Sequence, residues 1–296
     1  MSIVAKKIIM GSGAVALPSD DEFNRVSFLS HFDGANNGVN NVFDDASASN
    51  HTITASGNVT QGSFSPFARP DGEWGVSSDG NDYLTVAASN DFDVSDGDIT
   101  IEGFFNFTST AVASALWTLS IDNNDANGIR FQRQTTGFLR FDVRSGNSYV
   151  VNVTDDTISL PLNTWHHVAV TRTSGGAWKV YVNGVIAISA TESASSPDTS
   201  GIPLSIGANY RGTNTFMNGH ISNFRVVKGT IVYTSNNFTP PTSKLTAITN
   251  TKLLTCQSNR FVDNSASGHA ITPAGNAEVT AFGPFLTSEI YSAATN

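Results

Sequence analysis

The sequence predicts an all-β protein, an antiparallel two-sheet jelly-roll sandwich with an extended N-terminal arm. Three observations carry that expectation. Charged residues make up only 14 % of the chain, against about 25 % in an average soluble protein, and Ser, Thr, Asn and Gly supply the polarity instead. Short apolar runs with period-two alternation recur about every 8 to 12 residues, separated by Gly, Asn and Asp, with no helical period between them. The stretch Trp165 to Ala190, WHHVAVTRTSGGAWKVYVNGVIAISA, spells three consecutive antiparallel strands with both turns legible. In it Val168 and Val170 share one face with His166, while Trp165, His167, Ala169 and Thr171 take the other. Thr173 to Gly176 supplies the first turn. Asn183-Gly184 closes the second hairpin, since that pair reaches the positive φ values a two-residue connection needs.

The other elements follow in order. Met1 to about Pro18 is apolar, with Lys6-Lys7 ahead of Ile8 to Ala16 and an Ala14-Val15-Ala16 triplet that imitates a signal-peptide cleavage site. Gly11-Ser12-Gly13 interrupts the apolar run, so the segment reads as an assembly arm docked on a partner subunit, the alternative being that it packs on its own domain. Phe28 to Phe67 is strand and turn. Glu73 to Ala88 holds two strands around Asp79-Gly80-Asn81-Asp82. Ile99, Ile101, Phe105 and Phe107 share a face of a core strand over Asp98 to Phe107. Ala115 to Ile121, Ile129 to Gln134, Phe138 to Arg144 and Tyr149 to Val153 continue the pattern, and beyond the meander come Ile202 to Gly207, a loop Ala208 to Asn218, and the strand Gly219 to Lys228. The expected division is an arm over 1–25, a sandwich over 26–240, and a C-terminal segment over 241–296 packed on the sandwich.

That last segment contains an internal repeat. Phe43 to Phe67 and Phe261 to Phe285 align without a gap at an offset of 218 residues, and thirteen of the twenty-five positions are identical. Asp45 matches Asp263, His51 matches His269, and Gly57-Asn58 matches Gly275-Asn276. Two copies fall short of a repeat array. Either the units pair across a local twofold, or one belongs to the sandwich and the other to an appended hairpin.

The totals exclude several functions. A net charge of −9 and a pI near 5.0 leave no basic patch for phosphate backbones, so nucleic acid is not an expected partner. No apolar run approaches the roughly 20 residues of a membrane span. The single Cys256 rules out an internal disulfide framework. Retaining glycosidases need paired carboxylates flanking the bond. The six Glu, at 22, 73, 102, 192, 278 and 289, form no such pattern, and Glu102 reads as a lone carboxylate. The chain is therefore read as non-enzymatic, with no catalytic residue. His166 and His167 project to opposite faces of one strand and do not chelate together; His51 and His269, which recur in the repeat, read as turn-stabilising hydrogen-bonders.

Several stretches carry a resemblance: Asp79 to Leu84 (DGNDYL), Ile99 to Phe107, WHHVAVTR from Trp165, KVYVNG from Lys179, LSIG from Leu204 and GHISNFRVVKG from Gly219. Over about Ser30 to Gly229 the chain resembles the laminin-G-like, concanavalin-A-like jelly-roll family. Its continuation from Thr230 to His269 resembles the tails of laminin-G-like proteins of marine bacteriophages. The resemblance implies sugar or protein ligands at rim loops or on the concave face, and often calcium.

In the loop where members of the family bind ligands stand Asn209, Tyr210, Arg211 and Asn214, whose amide and guanidinium donors and aromatic ring suit a shallow glycan site. Calcium is the one cofactor to weigh, with Asp122, Asp125 and Asn127 as its candidate oxygen ligands. Against it, the acidic ligands of the pentraxins after the glycine-ended strand are replaced by Ala208-Asn209-Tyr210-Arg211. The expected setting is a virion: a surface-displayed tail, fibre or capsid-associated protein that contacts host glycan, held to other virion proteins by its N-terminal arm and forming a homo-oligomer. A ligand-free capsid decoration or tail subunit, or a secreted, extracellular bacterial lectin module, are the alternatives.

Overall fold

The structure is a computed structural model that describes residues 23–32, 42–57, 59, 73–95, 97–120, 126–209 and 215–285. Of the expected arm over 1–25, residues 1–22 lie outside them. The described residues form fifteen strands: β1 (Gly75–Asp79), β2 (Tyr83–Val86), β3 (Ile99–Phe107), β4 (Ser114–Leu119), β5 (Gly128–Arg133), β6 (Leu139–Ser145), β7 (Ser148–Thr154), β8 (Trp165–Arg172), β9 (Ala177–Val182), β10 (Val185–Thr191), β11 (Leu204–Ile206), β12 (Asn218–Lys228), β13 (Thr251–Thr255), β14 (Thr272–Ala274) and β15 (Glu278–Thr280).

They make two antiparallel sheets. Sheet A runs β10-β9-β8-β3-β12-β1-β15, with β13 also paired to β12; sheet B runs β14-β2-β11-β4-β5-β6-β7. This is the sandwich the alternation predicts, and the β8–β9–β10 meander is as its two turns require. Asn183 and Gly184 both take positive φ, 49° and 81°, and any side chain at Gly184 would run into the Phe238 carbonyl. β1 and β2 flank the Asp79 to Asp82 turn but part into different sheets, so this corner crosses the sandwich.

The core lies between the sheets. Ile99, Ile101, Phe105 and Phe107 of sheet A meet Trp117, Phe131 and Phe141 of sheet B, and Trp178 packs on Phe141 at 5.0 Å between ring centroids. Aromatic side chains bury the most apolar area per residue, so these rings dominate the driving force. Arg172 enters the same layer. Its guanidinium reaches Glu192 at 3.0 Å and the Gly97 carbonyl at 3.1 Å, and Trp178 Nε1 donates to the same Glu192 at 2.9 Å. The buried Cys256 lines this core, and burial pushes its thiol up to about 12, so it is an inert side chain.

The C-terminal segment, β13 followed by the second copy of the repeat with β14 and β15, is built into the sandwich. β13 extends along β12, β14 along β2 and β15 along β1, so one short segment closes edges of both sheets.

The outer faces of the two sheets differ. Sheet A is roofed by residues 229–250. Val232 N donates to Thr100 Oγ1, Tyr181 Oη to the Ser235 carbonyl and Phe238 N to the Gly184 carbonyl, while the Tyr233 and Phe238 rings stack at 3.7 Å. A bulge between Ser222 and Arg225 puts Asn223 at positive φ, and its Oδ1 accepts from Leu245 N, pinning the end of the roof. Over sheet B only the stems of the loop after β11 are described.

Candidate functional site

Alternation places Glu102, Phe104, His167 and Arg225 on the outer face of sheet A, beneath the roof. Glu102 has no carboxylate among its partners, as its sequence surroundings predict, but it is held by three other side chains. Its Oε1 accepts from Arg225 Nε at 2.9 Å and from the neighbouring guanidinium nitrogen at 2.5 Å; its Oε2 accepts from Tyr233 Oη at 2.6 Å and lies 3.0 Å from His167 Nε2. Sequence could not supply these partners, since Arg225 and Tyr233 lie more than a hundred residues away and meet Glu102 only through β12 pairing and the roof.

Burial pushes the Glu102 carboxyl up, but the His167 hydrogen bond and then the Arg225 charge hold it below the ordinary carboxylate range. Burial first, and Glu102 second, push Tyr233 upward. His167 Nδ1 is buried without a partner, which assigns the ring proton to Nε2. Glu102 and His167 are each 1 % exposed. Every carboxylate lone pair is engaged and no approach for a reactant is open, so the cluster clamps the roof to the sheet.

Sheet B presents a different surface. Its core-facing residues alternate with an outward polar row that crosses all seven strands in register: Thr272, Thr85, Ser205, Thr118, Arg130, Asp142 and Asn152. Over β5, β6 and β7 the row widens. Asp142 accepts from Arg140 Nε at 2.9 Å and ion-pairs with Arg130 at 3.6 Å. Arg130 donates to Tyr149 Oη at 2.5 Å, and the Arg130 and Arg144 guanidinium carbons stand 5.9 and 5.0 Å from the centre of the Tyr149 ring. Tyr149 is 41 % exposed, whereas Asp142 is buried. A buried carboxylate thus aims two guanidiniums, and a third flanks an exposed aromatic side chain. These residues belong to strands that the alternation predicts, yet nothing in the sequence singled them out, because the cluster forms across three strands.

Of the sequence-predicted residues, Asn209 and Asn127 are described. Asn209 is buried in the first stem of its loop, and its backbone N–H donates to the Thr215 carbonyl at 3.2 Å. Thr118 Oγ1 donates to the Ala208 carbonyl at 3.0 Å, and Phe216 lies 5.9 Å from Tyr83, so both stems rest on the outer face of sheet B beside the arginine cluster. Tyr210, Arg211 and Asn214 lie outside the described residues, as do Asp122 and Asp125. Asn127 is described: its Oδ1 accepts from Gly146 N at 3.2 Å and braces the β6–β7 turn next to Arg144. Among the described residues no group of three His, Cys, Asp or Glu gathers as a metal site.

His166 and His167 do face opposite ways. His166 Nε2 lies 3.0 Å from the Pro161 carbonyl, and burial holds its pKa below the ordinary value. In the repeat, His51 Nδ1 pairs with Asp45 at 2.7 Å, while the His269 side chain bonds Asp91 outside its own unit.

Comparison with known proteins fits this architecture. The family model described as the concanavalin A-like lectin/glucanases superfamily matches residues 78–232, more than half of the 296-residue chain. No curated protein sequence matches the chain. Among solved structures, the native heptameric SAP-like pentraxin from Limulus polyphemus is similar in fold: TM-score 0.52, 12 % identity, 74 % of this chain and 100 % of that one covered. Two further similarities are looser. The Ruminococcus gnavus IT-sialidase CBM40 bound to α2,3-sialyllactose gives TM-score 0.39 at 15 % identity, covering 50 % of this chain and 85 % of that one. Domain 4 of AbnA, a GH43 extracellular arabinanase from Geobacillus stearothermophilus, in complex with arabinotriose, gives 0.42 at 17 %, covering 64 % and 89 %. With the family model spanning β2 to β12 and both sheets in place, the chain belongs to the concanavalin A-like lectin/glucanase superfamily.

Proposed function

We propose that this protein is a non-catalytic glycan-binding sandwich whose site is the outer face of sheet B over β5 to β7, bordered by the loop holding Asn209, Tyr210, Arg211 and Asn214. The observation that carries the reading is the cluster around Tyr149. Among the described residues, Arg130, Arg140 and Arg144 stand there around Asp142, in a protein of net charge −9. Guanidinium forks match carboxylates and vicinal hydroxyls, and a half-exposed ring covers the apolar side of a sugar. The preferred ligand is accordingly a carboxylated sugar.

Titrating the full chain with neutral and carboxylated oligosaccharides by calorimetry tests this. Saturable binding of the acidic sugars is expected, weakening as salt screens the guanidiniums, with at least about a tenfold loss of affinity in Tyr149→Ala or Arg130→Ala, as for an anchoring contact. Failure of every sugar to bind, or unchanged affinity in both variants, overturns the assignment. EDTA in the same titration tests the calcium expectation at Asp122, Asp125 and Asn127, which chelator-sensitive binding would support.

The resemblance of the tail to bacteriophage proteins supports display on a virion, with the arm over 1–25 holding the protein to other virion components as a homo-oligomer. Removing the arm is expected to abolish incorporation into particles and to leave sugar binding intact. A structural subunit without ligand is the second reading, favoured by the uncovered surface of the N-terminal repeat.

A further inference from the structure

The two copies of the repeat adopt one local fold in two different surroundings. In the C-terminal copy, Asp263 Oδ1 accepts from Leu254 N at 3.0 Å and Ser265 N at 2.8 Å, and its Oδ2 accepts from His269 N at 2.8 Å. In the N-terminal copy, Asp45 Oδ1 accepts from Leu29 N and Ser47 N, and Oδ2 from His51 N, each at 2.9 Å. The return bond is also shared, Asn264 N to the Leu254 carbonyl and Ala46 N to the Leu29 carbonyl, both at 2.7 Å. Gly275 and Gly57 take φ of 74° and 72°. Leu29 therefore corresponds to Leu254, although 15 residues separate it from its aspartate and 8 separate the C-terminal pair.

What differs is the cover. Phe28 is 55 % exposed where its counterpart Leu253 is 0 %, and Val59 is 52 % exposed where Ala277 is 4 %. A side chain at Gly275 would collide with the Asp82 carboxylate, while among the described residues nothing lies within 4 Å of Gly57. His269 packs on Phe92 and bonds Asp91, whereas the His51 side chain is mostly exposed. Surfaces buried in one copy because β1, β2 and β12 receive them stand uncovered in the other.

We propose that the described N-terminal unit, residues 26–32, 42–57 and 59, is a docking plug for a second β-sandwich of this fold whose edge, equivalent to that of β1, β2 and β12, lacks a closing unit of its own. The occupant follows from the C-terminal copy, which is seated on such an edge. That the partner carries an open edge follows from stoichiometry: each chain has two units and one edge, and its own C-terminal copy fills that edge. Phe28 would replace Leu253 along the β12-like strand, Val59 would replace Ala277, and His51 would face a carboxylate placed as Asp91 is.

The test opens the edge of the full chain and offers it a wild-type plug. The acceptor Val59→Asp/Ala277→Asp drives a charge under its own C-terminal unit and disables its own plug. A second acceptor, Val59→Asp/Gly275→Val, wedges a side chain against Asp82 without adding a charge. Mixed with wild-type chain, each is expected to give a 1:1 complex of doubled mass by light scattering, or, where the acceptor alone is destabilised, recovery of its folded fluorescence. Both effects should vanish when the donor carries Phe28→Asp and Val59→Asp. Neither complex nor rescue with either acceptor overturns the proposal, as does undiminished association with the doubly substituted donor. Self-association of unmodified wild-type chain through its N-terminal unit also overturns it, since that would place the plug on an edge already closed.

Discussion

The outer faces of the two sheets are built by the same alternation and put to opposite uses. On sheet A the outward positions of β3, β8 and β12 hold a carboxylate, an imidazole and a guanidinium, all driven out of water by the chain that crosses them. On sheet B the outward positions of β5, β6 and β7 hold three guanidiniums around a buried carboxylate and a half-exposed tyrosine. Charged side chains on a β-sheet thus do not by themselves mark a site. What decides is whether the group is sealed off: Glu102 has no acceptor capacity left and is buried, whereas on sheet B the Tyr149 ring stands exposed between Arg130 and Arg144.

The largest expected effect breaks the closed face. Glu102→Ala leaves the Arg225 charge buried without its carboxylate, and removing one partner of a buried pair costs about 3–5 kcal/mol. Denaturant unfolding should register that loss, with the roof over 229–250 becoming exchange-labile first. Tyr233→Phe deletes one donor and keeps the ring stacked on Phe238, so a cost of about 1.5–3 kcal/mol is expected for a hydrogen bond to a charged group.

The same cluster sets a pH dependence. Because the folded Glu102 carboxyl lies below its ordinary value of 4.5, its contribution is fully present above that pH. It is lost as pH falls from there through the folded value. Unfolding free energy measured between neutral pH and acid should fall less steeply in Glu102→Gln than in wild type, whatever the absolute stability of the variant.

Which parts of this were legible in the sequence follows from the range of the interactions. The meander could be read because its turns are local: Asn183-Gly184 fixes a hairpin from two adjacent residues. The core strand over Ile99 to Phe107 could be read from alternation alone. β1 and β2 could be found, but not their parting into different sheets, since the Asp79 to Asp82 turn looks the same for a hairpin and for a corner. β14 and β15 were visible only as part of a repeat, and β13 lies before it and was not legible as a strand; strands of three to five residues such as TKLLT carry too little pattern of their own. Of the proposed site, Asn209 was named from its loop and is described in the first stem. The Tyr149 cluster was not legible, because Arg130, Asp142 and Tyr149 become neighbours only through the β5–β6–β7 register.

The smallest expected effects belong to the open face, and they sharpen the contrast. Asp142→Asn keeps the shape of the side chain but removes the charge that orients Arg140 and Arg130. Asp142 is buried, so a stability cost of about 1 kcal/mol is expected, of the order of one net hydrogen bond. Tyr149→Ala truncates an exposed side chain on β7 and should change stability by no more than about 0.5 kcal/mol, while its loss of sugar affinity should exceed that of Asp142→Asn. A structural role for the cluster would reverse the pattern: Tyr149→Ala would then cost as much stability as Tyr233→Phe, because the ring would be holding the arginines for the sake of the sheet. Measuring unfolding and sugar binding on the same two variants separates a surface kept open for a ligand from one that is merely uncovered.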